Sequence, residues 1–446
     1  MQKIIFSTLL TVSLSLLQAQ ETVLPAKEQK GSFYLTNATI HIGNGKVIQN
    51  GTIKVTNGKI EAVGDNIAVP AGADNVTNLK GQDLYPGLIL PSSTLGLNEI
   101  SSVRATQDAR EIGEMNPSVR SIVAYNSDSK VINTLRSNGI LLANVVPQGN
   151  FVAGTSSVVQ LDAWNWEDAA YKTDAGLHVY MPSLLPRPSF GGRGGGFGMG
   201  NFGAQGGDPV KEGLEKMEGL KTFFREAKAY QQLTDRKATN LKFEAVKDLF
   251  EKKQKLYMHA TTAKQILVAL DFVKEFSFDM VIVGGSESYQ VADLLKQHDV
   301  SVILQQPHSL PTAGDDDVDQ PYKTAAQLKK AGVLFSISDD DSQTRGRNLA
   351  FNAGTAAAYG LDKEEALAAI TLNAARIMGV ADKTGSIEVG KDANIVVSSG
   401  DLLDMRNSNV TAAYIQGRKI DLTDKHKLLN DRFEQKYELK APRKGF

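Results

Sequence analysis

Apolar and polar positions alternate in short bursts near both ends of this chain and gather into compact apolar runs in its middle. Residues 33–42 read as a strand, Gly43-Asn44-Gly45 as a turn and residues 51–55 as a second strand. Asn57-Gly58 is a hairpin signal, because the tight turn that matches strand twist needs positive φ at both positions, and residues 60–63 form the return strand. The same texture comes back in residues 393–397 and 410–416, with Gly417 before a last short strand. Between these blocks, residues 256–259, 280–283, 300–304 and 333–337 are mostly apolar, as strands buried on both faces must be. Helical stretches at 263–273, 289–297 and 323–330 separate them. Further upstream, residues 131–138 read as a helix that Gly139 closes and that feeds a strand at 140–146.

Strand–helix repeats of roughly twenty to thirty residues fit the βα units of a parallel barrel. The expected fold class is therefore α/β. It comprises a (β/α)8 TIM-type barrel over residues 85–387 and a small β-sandwich domain built from both flanking segments, 31–84 and 388–423, with a C-terminal tail at 424–446. One insertion breaks the rhythm. Residues 190–207 are mostly glycine, and ordering such a stretch costs much backbone entropy with few side chains to offset it, so a loop is expected there. Asp208-Pro209 then starts a helix, with aspartate as cap and proline in the first turn. Leu214, Met217, Leu220 and Phe224 are its expected apolar stripe.

Composition narrows the function classes. The 446 residues are 41% hydrophobic, enough for a large core, and 49 basic residues balance 50 acidic ones. No net field steers such a protein to nucleic acid. Residues 1–20 read as a secretory leader: Lys3 supplies the positive start, residues 4–17 the apolar run and Ala19 a small residue near a cleavage point. That run is too short to span a bilayer, and no other segment is apolar enough to do so. An exported, periplasmic or secreted, protein is expected. The chain has no cysteine, which removes disulfides and thiolate metal sites.

Several separated motifs then occur in a recognisable order. They are Asn37-Ala38-Thr39-Ile40-His41 with Asn50-Gly51-Thr52-Ile53, Gly58-Lys59-Ile60, Pro86-Gly87-Leu88-Ile89, Thr371-Leu372-Asn373-Ala374-Ala375-Arg376, and the run from Gly385-Ser386-Ile387 to Asp392-Ala393. Together they resemble the imidazolonepropionase-like branch of the amidohydrolase superfamily, over nearly the whole chain after the leader. The resemblance implies a metal-dependent barrel enzyme that hydrolyses non-peptide carbon–nitrogen bonds. In that family two histidines follow strand one and a lysine or glutamate often bridges from strand four. Single histidines come from strands five and six, and an aspartate after strand eight binds metal and takes a proton from the attacking water.

Carried over residue by residue, most of that set is replaced. Ser92 and Thr94 stand where the first two histidines belong, with Leu90 in place of the preceding aspartate. Gly284 stands where the strand-six histidine belongs, and residues 178–181 run into Pro182 with no lysine or glutamate. His259 matches the strand-five histidine, and Asp340 or its neighbour Asp339 matches the strand-eight acid, within the acidic run that ends at Asp341. One imidazole and one carboxylate fall short of the three protein ligands usual in a catalytic zinc site. No metal is therefore expected, and zinc or another divalent ion would find only His259 and Asp340.

Each leftover has a plainer reading beside the chemical one. His259 is a surviving acid–base group or a hydrogen-bonded core histidine. Asp339–Asp341 hold a base at the barrel mouth or form a solvated loop paired with Arg345 and Arg347. Asp315, Asp316, Asp317 and Asp319 could coordinate calcium through oxygen, but their spacing is that of a solvated loop rather than an EF-hand. Ser92, Ser93 and Thr94 offer hydroxyl nucleophiles without an identifiable base. His41, His178, His298, His308 and His426 form no metal-spacing motif.

Three functions follow, from different classes. The first is a catalytically impaired homologue acting as a structural or regulatory partner of an active amidohydrolase, or within a homo-oligomer. The second is a hydrolase of cyclic-amide or dipeptide-like bonds using His259 and Asp340 with one weak metal or none. The third is a small-ligand binding protein.

Overall fold

The structure is a computed structural model that describes residues 23–73, 75–185, 208–235, 238–312, 314–339 and 345–439. The expected leader, the whole of the glycine-rich insertion, Asp340 and Asp341 lie outside the described residues.

Among the described residues, sixteen strands form two sheets. The first uses both ends of the chain: β1 (Ser32–His41), β2 (Val47–Thr56), β3 (Lys59–Gly64), β4 (Val76–Asn78) and β5 (Asp83–Pro86), then β14 (Ile395–Ser398), β15 (Val410–Ile415) and β16 (Arg418–Lys419). Their order is β16-β15-β14-β5-β1-β2-β3, with β4 on β1. The seam is the antiparallel β5–β14 pair, where Leu84 lies opposite Val397 and Tyr85 opposite Val396. Leu35, Ile40, Ile53, Val55, Ile60, Leu84, Ile395 and Val397 pack into a core of their own. The hairpin turn is where it was expected, with φ 48° at Asn57 and 79° at Gly58. A Cβ on Gly58 would meet the Gln416 carbonyl oxygen at 2.6 Å, so the second sheet edge also requires glycine there.

The second sheet is the barrel: β6 (Leu88–Ser93), β7 (Ile140–Val145), β8 (Val152–Gln160), β9 (Ala170–Tyr180), β10 (Lys255–Ala260), β11 (Met280–Gly284), β12 (Ser301–Leu304) and β13 (Phe335–Ile337), hydrogen-bonded in that order. Between the two ends, the Ser338 hydroxyl donates to the Ser92 carbonyl oxygen at 3.1 Å. The barrel expected from the sequence is present, with one difference. β8 runs antiparallel to both neighbours. The connection from β7, residues 146–151, holds no helix. A parallel return needs a crossover of a dozen or more residues, so a link this short turns the strand round.

The helices follow the expected punctuation. Ala263–Phe276 starts on a capping box between Thr262 and Gln265, which satisfies its first free amides. Pro209–Gln231 starts on Asp208, whose carboxylate accepts from the Val210 amide. Met217, Leu220 and Phe224 are buried as expected, but Leu214 is 42% exposed. Gly213 takes the inner place because a Cβ there would meet Leu184 at 2.8 Å, and this rotates the buried stripe by one residue. The segment expected as a tail carries a helix, Lys425–Lys436, capped by the Asp424 carboxylate.

Alternation along the barrel strands separates two environments. Leu256, Met258, Ile282, Val302 and Phe335 belong to the large core shared with the surrounding helices. Tyr257, Val281, Val283, Ile303 and Ile377 form a separate inner cluster. Ile377 comes from the helix Leu372–Met378, and its carbonyl accepts from the Tyr257 hydroxyl at 3.3 Å, which closes the barrel floor. Asp162 ties three distant segments together. It pairs with Arg136 at 2.6 Å and Arg418 at 3.1 Å, and accepts from the Ala26 amide at 3.0 Å.

Candidate active site at the barrel mouth

Counting round the barrel from β6, His259 lies on the fifth strand, Gly284 ends the sixth, and Ser338-Asp339 follow the eighth. The matched positions among the described residues therefore lie at one end of the barrel.

His259 faces inward beside β9. One of its ring nitrogens, Nε2, is 2.9 Å from Nδ1 of His178, and the face of Tyr180 stacks on it with 3.8 Å between ring centroids. Tyr180 is held by donating its hydroxyl to the Pro147 carbonyl at 3.0 Å. His178 in turn stacks on Tyr257 at 4.6 Å. Burial pushes His259 down to about 3, and burial next to another imidazole pushes His178 well below the ordinary histidine value. Both rings are neutral at physiological pH, so in the hydrogen bond between them one donates and the other accepts.

At Gly284 the backbone has φ 103°, a region side chains rarely adopt, and an added Cβ would approach the Ala260 carbonyl oxygen at 3.2 Å. A histidine cannot enter this position without moving the end of β11. Ser92, Ser93 and Thr94 are buried at the end of β6. The Ser93 hydroxyl accepts from the Leu95 amide, and among the described residues the Thr94 hydroxyl has no hydrogen-bond partner. No base contacts any of the three hydroxyls among the described residues.

Asp339 is 3% exposed and accepts from Asn352 on the helix Leu349–Ala358 at 3.2 Å. It lines an open cavity together with His308, Arg345 and Phe351. His308 bonds Thr355 there, at 3.1 Å. The structure thus brings Asp339 and His308 to one cavity and sets His259 in the barrel interior with His178. The acidic loop has internal uses as well: Asp316 accepts from Tyr289, while Asp317 and Asp319 pair with Lys323.

His178 and Tyr180 were missed in the sequence. A signal existed, since two polar residues spaced by two within the apolar run 177–181 must share one face of a strand. Among the described residues no three histidine, aspartate or glutamate side chains come together to hold a metal ion. The donors described at the mouth fit a divalent ion poorly: one imidazole is bonded to its neighbour, the next position is a glycine with no side chain, the Asp339 carboxylate accepts from Asn352, and the rest are hydroxyls. None of the helices among the described residues is long and apolar enough to cross a membrane.

Comparison with known proteins agrees with the architecture. The profile of the amidohydrolase family matches residues 153–420, more than half of the chain. An imidazolonepropionase of Thermoplasma volcanium is 40% identical over 82 residues, which is 18% of this chain and 20% of that protein. One of Flavobacterium johnsoniae is 35% identical over 81 residues, with the same coverage. The aligned stretch thus spans about a fifth of the length of these curated relatives. A solved amidohydrolase from Thermotoga maritima superposes with a TM-score of 0.73 at 27% identity, covering 87% of this chain and 99% of that one. A prolidase solved with a phosphonate-proline ligand shares the fold alone, with a TM-score of 0.53 at 15% identity. With the motifs, the barrel and its attached sheet, these matches make the chain a member of the amidohydrolase family.

Proposed function

We propose that this chain is an exported amidohydrolase-family protein without the family's hydrolytic metal centre. It acts as a structural or regulatory partner of an active relative, or within a homo-oligomer. The observation that carries this reading is the His178–His259 hydrogen bond beneath the Tyr180 ring, because it commits the last matched imidazole to the barrel interior. The left-handed backbone at Gly284 supports it independently. Metal analysis of the purified protein, followed by zinc and manganese titration and an assay on cyclic amides and dipeptides, tests it. The expected outcome is no stoichiometric metal and no hydrolysis. Tight zinc that is lost on His259→Ala, together with turnover, sinks the proposal. Export rests on residues 1–20 and is checked by cell fractionation of the tagged chain.

The names of the relatives favour a second reading, in which a carbon–nitrogen hydrolase works through His259 and Asp340. If an activity is found, His259→Ala and Asp340→Asn must both abolish it for that reading to stand.

A further inference from the structure

At the end of the barrel opposite the mouth, an open groove of about 470 Å³ is lined by residues of both sheets. Its place follows from the antiparallel strand. Gln160, the last residue of β8, lies opposite Leu142 near the start of β7, so the connection from β8 to β9 emerges where the parallel strands begin. His259 and Gly284 stand at the other end, and the groove shares no residue with the matched positions. Sites for small molecules commonly measure about 300–1,000 Å³, so the groove has room for one.

Two features of the lining cost the fold something. Trp164, on the β8–β9 connection, is 64% exposed, so the fold forgoes the burial that a large aromatic side chain usually supplies. The backbone that carries it is fixed. Its carbonyl accepts from the Ser127 hydroxyl at 3.3 Å, the short helix Trp166–Ala169 starts on the Asn165 cap, and Gln160 donates to the Asp168 carbonyl at 3.0 Å. The second feature is a pair of tight turns, Asn57-Gly58 and Gln416-Gly417, with φ 48° at both Asn57 and Gln416. They touch, because a Cβ on Gly417 would meet the Gly58 Cα at 2.9 Å. Asparagine suits that left-handed conformation and glutamine does not. A side chain kept at such a cost points to a use.

The hydrogen-bonding groups left over define the ligand. Most charges in the lining are matched: Lys59 pairs with Asp392 at 2.7 Å, Arg418 with Asp162 at 3.1 Å, and Glu28 with Lys30 at 4.0 Å. Among the described residues, the Asp168 carboxylate and Gln416 Oε1 remain as acceptors without a donor, and Asn57 Nδ2 and Trp164 Nε1 as donors without an acceptor. A hydroxyl donates and accepts at once, so a molecule rich in hydroxyls satisfies this mixed set. A pyranose ring also presents a face of polarised C–H bonds, which lies well on the electron-rich face of an indole. A cation drawn to Asp168 would meet Lys59 and Arg418 as well, and an anion would meet Asp168 itself.

We propose that this groove is a binding site for a neutral saccharide, with one pyranose ring stacked on Trp164 and its hydroxyls bonded to Asp168, Gln416 and Asn57. The site goes beyond the function proposed above and does not depend on whether the barrel mouth holds a metal.

The chain has two tryptophans, Trp164 and Trp166, so Trp166→Phe leaves the groove as the sole source of indole fluorescence. The full chain with that change is titrated with maltose, cellobiose and chitobiose as neutral probes and with choline and glucuronate as charged ones. Calorimetry repeats the titrations on the natural chain. At least one neutral disaccharide is expected to shift the Trp164 emission saturably, with a dissociation constant of about 1 mM or tighter. In calorimetry Trp164→Ala is expected to weaken that binding about tenfold and Asp168→Asn severalfold. Both side chains are exposed, so neither change should move the unfolding midpoint much. Gln416→Asn suits the left-handed turn but shortens the reach of the amide, so it should raise the midpoint while weakening binding. The proposal is overturned if no neutral disaccharide binds, or if choline or glucuronate binds as tightly as the best sugar. It is equally overturned if Trp164→Ala and Asp168→Asn both bind that sugar unchanged.

Discussion

His41 is expected to make this protein lose stability as pH rises above neutrality. It ends β1, and its ring is 8% exposed. Nδ1 is 2.7 Å from Glu364, on the barrel helix Lys363–Ala369, and Nε2 is 3.8 Å from Asp83 on β5. The ring stacks on Tyr85 with centroids 4.4 Å apart. Burial by itself would lower the histidine's pKa. Hydrogen bonds and attraction from Asp83 and Glu364 outweigh it and raise the value from 6.5 to about 9. A group whose folded value lies above its unfolded one stabilises fully below the unfolded value and loses that contribution as pH climbs through the folded one. The window is therefore pH 6.5 to about 9. At about 1.4 kcal/mol per pH unit across it, the imidazolium contributes about 3 kcal/mol at most. The assay is urea unfolding of the natural protein and His41→Gln at pH 6 and at pH 9.5. Taking the difference between the two proteins cancels every titration they share. That difference should shrink by about 2–3 kcal/mol at the higher pH. A difference independent of pH would refute the argument, since it would mean that the ring is neutral between its two carboxylates.

The buried neutral imidazoles give the opposite limb. His259, held at about 3, contributes stability above its unfolded value near 6.5 that is lost as pH falls through it, so His259→Asn should flatten the acid decline in unfolding free energy. Asp162→Ala leaves Arg136 and Arg418 facing each other in a buried place and should lower stability by about 3–5 kcal/mol in the same unfolding assay. Gly284→His, which restores the family's residue type at the end of β11, should lower the unfolding midpoint by about 1–3 kcal/mol in equivalent free energy because of the positive φ. It should recruit no zinc in calorimetry; tight zinc binding by that variant would show that only the side chain had been missing.

Much of the fold was legible in local pattern. The hairpin at Asn57-Gly58, the apolar runs of β10 to β13 and the Asp208 cap are signals whose physics acts within a few residues. β8 was not legible, because its direction depends on the length of a link and on what lies beside it. Leu214 was misplaced because the stripe of a helix is referenced to its partner, and Gly213 against Leu184 decides which residue turns inward. The site divides in the same way. That Ser92, Thr94 and Gly284 stand at replaced donor positions is what the family resemblance implies from sequence. That His259 meets His178 across β9 and β10, while Asp339 turns to Asn352, depends on strand register and side-chain direction.

Residue chemistry and short-range periodicity were thus enough to determine the barrel class and the two-ended sheet. Only the tertiary structure decided which polar groups meet, because strand pairing brings together residues such as His178 and His259, 81 positions apart. It also decided their charge, since burial in the barrel, rather than any neighbour in sequence, holds those two rings neutral.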